Sequence, residues 1–136
     1  MPSEKFSSCA QWIETHSEIQ RLRDEKHGEP DEAERTRLIA LAKETIPPKV
    51  ERYAQLMGLK YAGIKITGAR TRFGSCSARN SLCFSWRLMQ YPEDAVDYVV
   101  VHELSHIVHK NHGPRFYALV ASVMPDWKRR RALLKE

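Results

Sequence analysis

No stretch of this 136-residue chain approaches the roughly 18 consecutive apolar residues of a membrane span, and Met1-Pro-Ser-Glu-Lys5 lacks the apolar core of a signal peptide. A cytoplasmic protein without membrane contact is expected. Cysteine is equally scarce: Cys9, Cys76 and Cys83 contain no C-x-x-C pair, and an odd count does not suit a disulfide framework. Free thiols are expected, although the spacing of Cys76 and Cys83 would permit a bridge across a hairpin. There is no internal repeat, no low-complexity stretch and no linker long enough to separate two domains. With 42% hydrophobic residues the chain falls outside the disordered class, and its length suits one folded domain with a real core.

What the chain does carry is His102-Glu103-Leu104-Ser105-His106. Residues four apart share one helical face, so His102 and His106 can converge on one ion. Glu103 is rotated away from that pair; it is poorly placed as a third ligand but well placed to take a proton from a water held on the metal. The preceding run, Pro92 to Val101, supplies proline at a helix start, acids in the first turn and then apolar residues. Val96, Val99, Val100, Leu104, Ile107 and Val108 cover most of the circumference, which predicts a helix buried at the centre of the domain. Inside such a helix two histidines and a glutamate need partners, and a zinc ion with its water serves all three.

A third ligand must come from His109 or His112. On a continuous helix His109 would share the metal face but lie roughly 4.5 Å further along the axis, and His112 would point about 120° away from His106. The sequence predicts that the helix stops, with Asn111 as a left-handed terminator, Gly113 adding freedom and Pro114 opening another helix. A chain that turns there folds His112 back over the metal. The ligand set read in this way is His102, His106 and His112, with His109 as the alternative third member.

The stretches Thr71-Arg-Phe-Gly-Ser-Cys-Ser77, Phe84-Ser-Trp-Arg-Leu88, Tyr98 to His106 and Asn111-His-Gly-Pro-Arg-Phe116 together resemble the YgjP-like metallopeptidases, relatives of the SprT-like proteases. The resemblance covers roughly residues 38 to 136, with Ala42 to Val50 and Met124-Pro-Asp-Trp127 agreeing at its two ends. The short polar N-terminal segment departs from the strand-rich region usual there in that family. The resemblance implies a zincin-like fold, one zinc ion held by His102, His106 and His112 with water in the fourth position, and Glu103 as catalytic acid/base. It also implies a protein or peptide substrate. Zinc would polarise the scissile carbonyl while Glu103 moves a proton from water to the leaving amine.

The rest of the chain reads as an α+β domain over residues 31–136, preceded by a polar segment, 1–30, in which Trp12, Ile13, Ile19 and Leu22 are the scattered apolar positions and a short helix packing loosely on the domain is expected. A helix entered from Asp31, Glu32 and Glu34 is predicted to end at Pro47-Pro48, with a second helical piece from Lys49 to Met57 closed by Gly58. Strands are predicted over Tyr61–Thr67, Arg70–Cys76 and Ser81–Leu88, the last two around the turn Ser77-Ala-Arg-Asn80, forming a small, mainly antiparallel three-stranded sheet against the helices. An exposed edge of that sheet, within Arg70 to Leu88, would receive an extended peptide. Gly74 is read either as a tight turn or as a close approach of backbone to the site. Tyr117 and Arg72 are candidate oxyanion or substrate contacts, set against core packing and structural ion pairing respectively. The net charge of +5 and the run Lys128, Arg129, Arg130, Arg131 permit nucleic-acid contact, set against a solvated helix face. A metal-containing module that binds nucleic acid or protein with little hydrolysis is the alternative function, and the intact Glu103 argues for the enzyme.

Overall fold

The computed structural model describes residues 29–70 and 72–135, so the expectations for the N-terminal helix and Cys9 lie outside the described residues. Helix α1, Glu32–Met57, is capped as its sequence predicts: Asp31 accepts the Glu34 N–H at 2.8 Å, and Gly58 closes the other end at φ 69°. It does not stop at the prolines. Pro47 and Pro48 lie inside one helix because Leu38, Ala42, Ile46, Val50 and Ala54 form a single buried stripe that runs past them. A proline inside a helix costs about 3 kcal/mol, and each fully buried large apolar side chain in the stripe offsets roughly 1.5–3 kcal/mol.

The sheet holds β1 (Gly63–Thr67), β2 (Gly74–Cys76) and β3 (Ser81–Ser85) in the order β1-β3-β2. Strands β2 and β3 are an antiparallel hairpin, with Cys76 opposite Leu82, around a turn in which Ser77 Oγ accepts from Arg79 and Ser81 N–H and Asn80 adopts φ 65°. The longer ladder, β1 with β3, is parallel, which corrects the expected mainly antiparallel sheet. Three strands that reverse direction in succession are antiparallel throughout only if the middle one is also central in space. Here β3 takes the centre. The second and third strands are also shorter than predicted: β2 begins at Gly74, and β3 gives way to a 3-10 turn, Trp86–Gln90, where Ser85 Oγ accepts from Arg87 N–H.

Facing residues of an antiparallel pair share one side of the sheet. Cys76, opposite Leu82, and Cys83, opposite Ser75, therefore point to opposite sides, and both are free thiols.

Helix α2, Glu93–Val108, is the expected central helix, buried without interruption from Tyr98 through His106. It packs against α1, β2 and the two helices that follow, α3 (Pro114–Val123) and α4 (Trp127–Ala132). Lys49 Nζ of α1 ties to Asp97 of α2 at 2.7 Å, and Tyr53 donates to the same carboxylate at 3.1 Å. No helix among the described residues is long and apolar enough to cross a membrane.

Candidate metal centre and cleft

Helix α2 presents His102, Glu103 and His106, all buried. It ends at Val108, earlier than the predicted terminator Asn111, and not through a left-handed residue: His109 caps it in an extended conformation, φ −125° and ψ 108°. This ending has a chemical result. The His109 carbonyl turns back to lie 3.0 Å from His106 Nδ1. A carbonyl only accepts, so Nδ1 carries the proton and Nε2 is left with a bare lone pair. Burial lowers the His106 pKa below its ordinary value and favours this neutral form.

The chain then brings His112 over the helix, with Gly113 and Pro114 starting α3 as predicted. His112 Nε2 lies 2.9 Å from His106 Nε2 and 3.1 Å from His102 Nε2. Among the described residues these three histidines form the one group whose donor atoms are close enough to share an ion; the His109 ring is not part of it.

Protons alone cannot satisfy this triangle. His112 Nε2 carries at most one hydrogen, and if that is given to the bare His106 nitrogen, the same atom has no lone pair to accept from His102. A cation among the three nitrogens satisfies all of them. Three ligands about 2.0–2.1 Å from one tetrahedral zinc ion lie about 3.3 Å apart, close to the 2.9 and 3.1 Å by which His112 is separated from the other two. Phe116 packs on all three rings, its centroid 4.5–5.0 Å from theirs, and closes the apolar side of the centre.

Tyr98 is a member of the site that motif spacing did not single out. Its hydroxyl lies 3.1 Å from His102 Nδ1, deep in the core, where burial raises its pKa. The signal was available, since Tyr98 precedes His102 by four residues and shares its helical face, but an aromatic there also reads as packing.

Glu103 opens onto a cleft of about 350 Å³, lined also by the three histidines, Arg72, Gly74 and Lys110. Burial pushes its carboxyl up to about 8, and the Arg72 charge works against that rise. Backbone from β2 lies directly on it: a Cβ at Gly74 would meet Glu103 Cγ at 3.0 Å and the Cys83 carbonyl oxygen at 3.2 Å. Of the two readings of Gly74, the structure shows the close approach.

The remaining candidates fall elsewhere. Arg72 lines the cleft, whereas Tyr117 does not; its ring stacks between His112 and Trp127, at 6.3 and 4.8 Å. In the basic run, Arg129 pairs with Asp126 at 2.6 Å and Asp94 at 3.1 Å, and Arg130 with Asp126 at 2.9 Å. Lys128 and Arg131 lie over the Trp127 ring. These cations engage α2 and α4 themselves.

Comparison with known proteins gives a consistent picture. The family described as YgjP-like, metallopeptidase domain, matches residues 3–136, which takes in the N-terminal segment as well as the motif-bearing part. No curated protein sequence matches. Among solved structures, the metallopeptidase zymogen abylysin of Pyrococcus abyssi is similar over 65% of this chain and 90% of its own, with a TM-score of 0.59 and 17% identity. Jannalysin of Methanocaldococcus jannaschii, also a metallopeptidase zymogen, is similar over 64% of this chain and 90% of its own, with a TM-score of 0.57 and 19% identity. At these identities the likeness is one of fold, and the fold is zincin-like.

Proposed function

Because this chain belongs to the YgjP-like metallopeptidase family, we propose that it hydrolyses peptide bonds in a protein substrate with one zinc ion held by Nε2 of His102, His106 and His112. The observation that carries the reading is the convergence of three buried imidazole nitrogens beside a buried carboxylate that faces a cleft. Zinc, when bound, polarises a carbonyl oxygen and makes water more acidic.

The remaining work falls to side chains of this chain. Glu103 takes the proton of the attacking water on a carboxylate oxygen and returns it to the leaving amine nitrogen. That requires the ionised form, which the Arg72 charge favours and burial opposes. The His109 carbonyl and the Tyr98 hydroxyl hold Nδ1 of His106 and His102, so that each ring keeps Nε2 turned to the centre. An extended substrate would pair along the outer edge of β2, the sheet edge that packs beside α2.

The test is cleavage of a mixture of unfolded proteins by the purified, zinc-loaded protein, by the same sample after chelation, and after zinc is restored. Loss on chelation and recovery with zinc are expected. Equal cleavage by the loaded and chelated samples would remove the proposal.

Two substitutions probe the support around the centre. Tyr98→Phe keeps the buried ring but removes the oxygen beside His102, so zinc affinity should fall by roughly 10–100-fold in a competition titration against a chromogenic chelator. An unchanged affinity would reduce Tyr98 to packing. Gly74→Ala should leave zinc binding intact and lower kcat, because the new methyl group displaces Glu103 and the Cys83 carbonyl cannot yield. The shift needed is a few tenths of an ångström, less than the misplacement of about 1 Å that costs about 100-fold at a reacting group, so the loss in kcat should be smaller than that.

A further inference from the structure

Charge in the cleft is arranged in a way that the proposed hydrolysis does not by itself require. Of the described side chains that line it, Glu103 is the one acid, while Arg72 and Lys110 are both basic. The three histidines are neutral ligands in the proposed centre, so they would leave the double charge of a zinc ion uncompensated. With Glu103 ionised, the sum over the loaded cleft is about +3 (ion, Arg72 and Lys110 less Glu103). The buried apolar core behind the histidines, Phe116 included, is a low-dielectric backing that strengthens such a field.

The two basic residues are also placed along the strand that would bind substrate. Arg72 lies just before β2. Lys110 belongs to the loop after α2, but its Nζ bonds to Asn80 Oδ1 at 2.9 Å and to the Ser77 carbonyl at 3.4 Å, in the turn just after β2. These two bonds orient the ammonium against the far end of the same strand. The Lys110 charge reaches Cys76 and His106, and the Arg72 charge reaches Glu103. From position 72 to position 77 an extended chain rises about 17 Å. A peptide laid along β2 thus passes between two basic groups, each about two or three residues from the bond over Glu103.

We propose that this cleft selects peptides bearing a carboxylate about two or three residues from the scissile bond, read by Arg72 at one end of β2 and by Lys110 at the other. The proposal rests on the peptidase reading for the position of the substrate. The carboxylate is an Asp or Glu side chain or, where the peptide ends within the cleft, its free C-terminus.

Binding tests this apart from turnover. Zinc-loaded Glu103→Gln protein is titrated with fluorescent peptides of ten residues that carry Glu or Gln at the flanking positions, each with a free or an amidated C-terminus. The same series is run with Arg72→Gln and Lys110→Gln added singly and together. Glu peptides should bind at least about tenfold tighter than Gln peptides at low salt, as a charge-assisted contact provides, and the margin should shrink at 0.5 M salt. Each added substitution should reduce the margin while affinity for the Gln peptide stays within about twofold, which separates charge reading from a damaged fold.

A Glu-over-Gln margin that survives amidation assigns the contact to side chains, and tighter binding of free than of amidated peptides, whatever the flanking residue, assigns it to the terminal carboxylate; both support the proposal. Affinity that depends neither on Glu against Gln nor on a free against an amidated terminus, no binding of any peptide, or a preference that persists undiminished in the triple variant would overturn it, the last because the ion alone would then account for the preference. Wild-type protein that fails to cleave peptides bound with the expected margin would sink the peptidase reading and leave charge selection standing.

Discussion

Replacing Glu103 with Gln should lower kcat/KM for peptide hydrolysis by about 10²–10⁴-fold while zinc stoichiometry stays unchanged. Gln has nearly the same shape, so the substitution fits the space between α2 and the backbone at Gly74. What it removes is the ability to accept a proton from water and give it to the amine. The three converging nitrogens do not include a Glu103 atom, so metal content should not follow activity. Two measurements decide the matter: kcat/KM with a quenched fluorescent peptide, and zinc per chain by elemental analysis. Activity within threefold of wild type would end the assignment of Glu103 as proton carrier. Parallel loss of zinc would mean that it acts as a ligand.

The second large effect concerns His112 and His109, which the sequence leaves as competitors for the third ligand. His112→Ala should weaken zinc binding by more than the 10–100-fold typical of groups that only support a ligand, because it deletes one of three nitrogens. His109→Ala should have little effect. The group that His109 contributes is its main-chain carbonyl, 3.0 Å from His106 Nδ1, and alanine supplies the same carbonyl. Competition titrations of both variants, with circular dichroism to verify the fold, give the comparison. Strong loss in His109→Ala with retention in His112→Ala would reverse the ligand set.

The cues that could be read locally are those whose physics is local. Asp31 and Gly58 mark the ends of α1 because a cap acts within one turn, and Ser77 to Asn80 reads as a hairpin turn because its hydrogen bonds stay within five residues. The four-residue spacing of His102 and His106 is likewise a property of any helix. Asn111 shows where local signals fall short. It is a good terminator by type, yet the helix ends three residues earlier, where the His109 carbonyl gains the His106 imidazole as a donor.

Other features depended on partners distant in the chain. The apolar stripe that carries α1 past Pro47 and Pro48 is stabilised by α2 and the 3-10 turn after β3. Strand order is similar: β1 and β3 are both legible as strands, but nothing within either states that they lie side by side and parallel. The basic run in α4 likewise gains a partner remote in the chain, since Arg129 pairs with Asp94 of α2.

By itself, then, the sequence determined a buried helix carrying two histidines and a glutamate, and a chain break able to return a third histidine. Tertiary structure decided that His112 comes within 2.9 Å of His106, that Tyr98 supports His102, and that Arg72 and Lys110 meet at one cleft from opposite ends of β2. The division is physical. Helix periodicity and capping act over a few residues and leave their mark in spacing, whereas convergence of side chains from separate elements is set by how those elements pack.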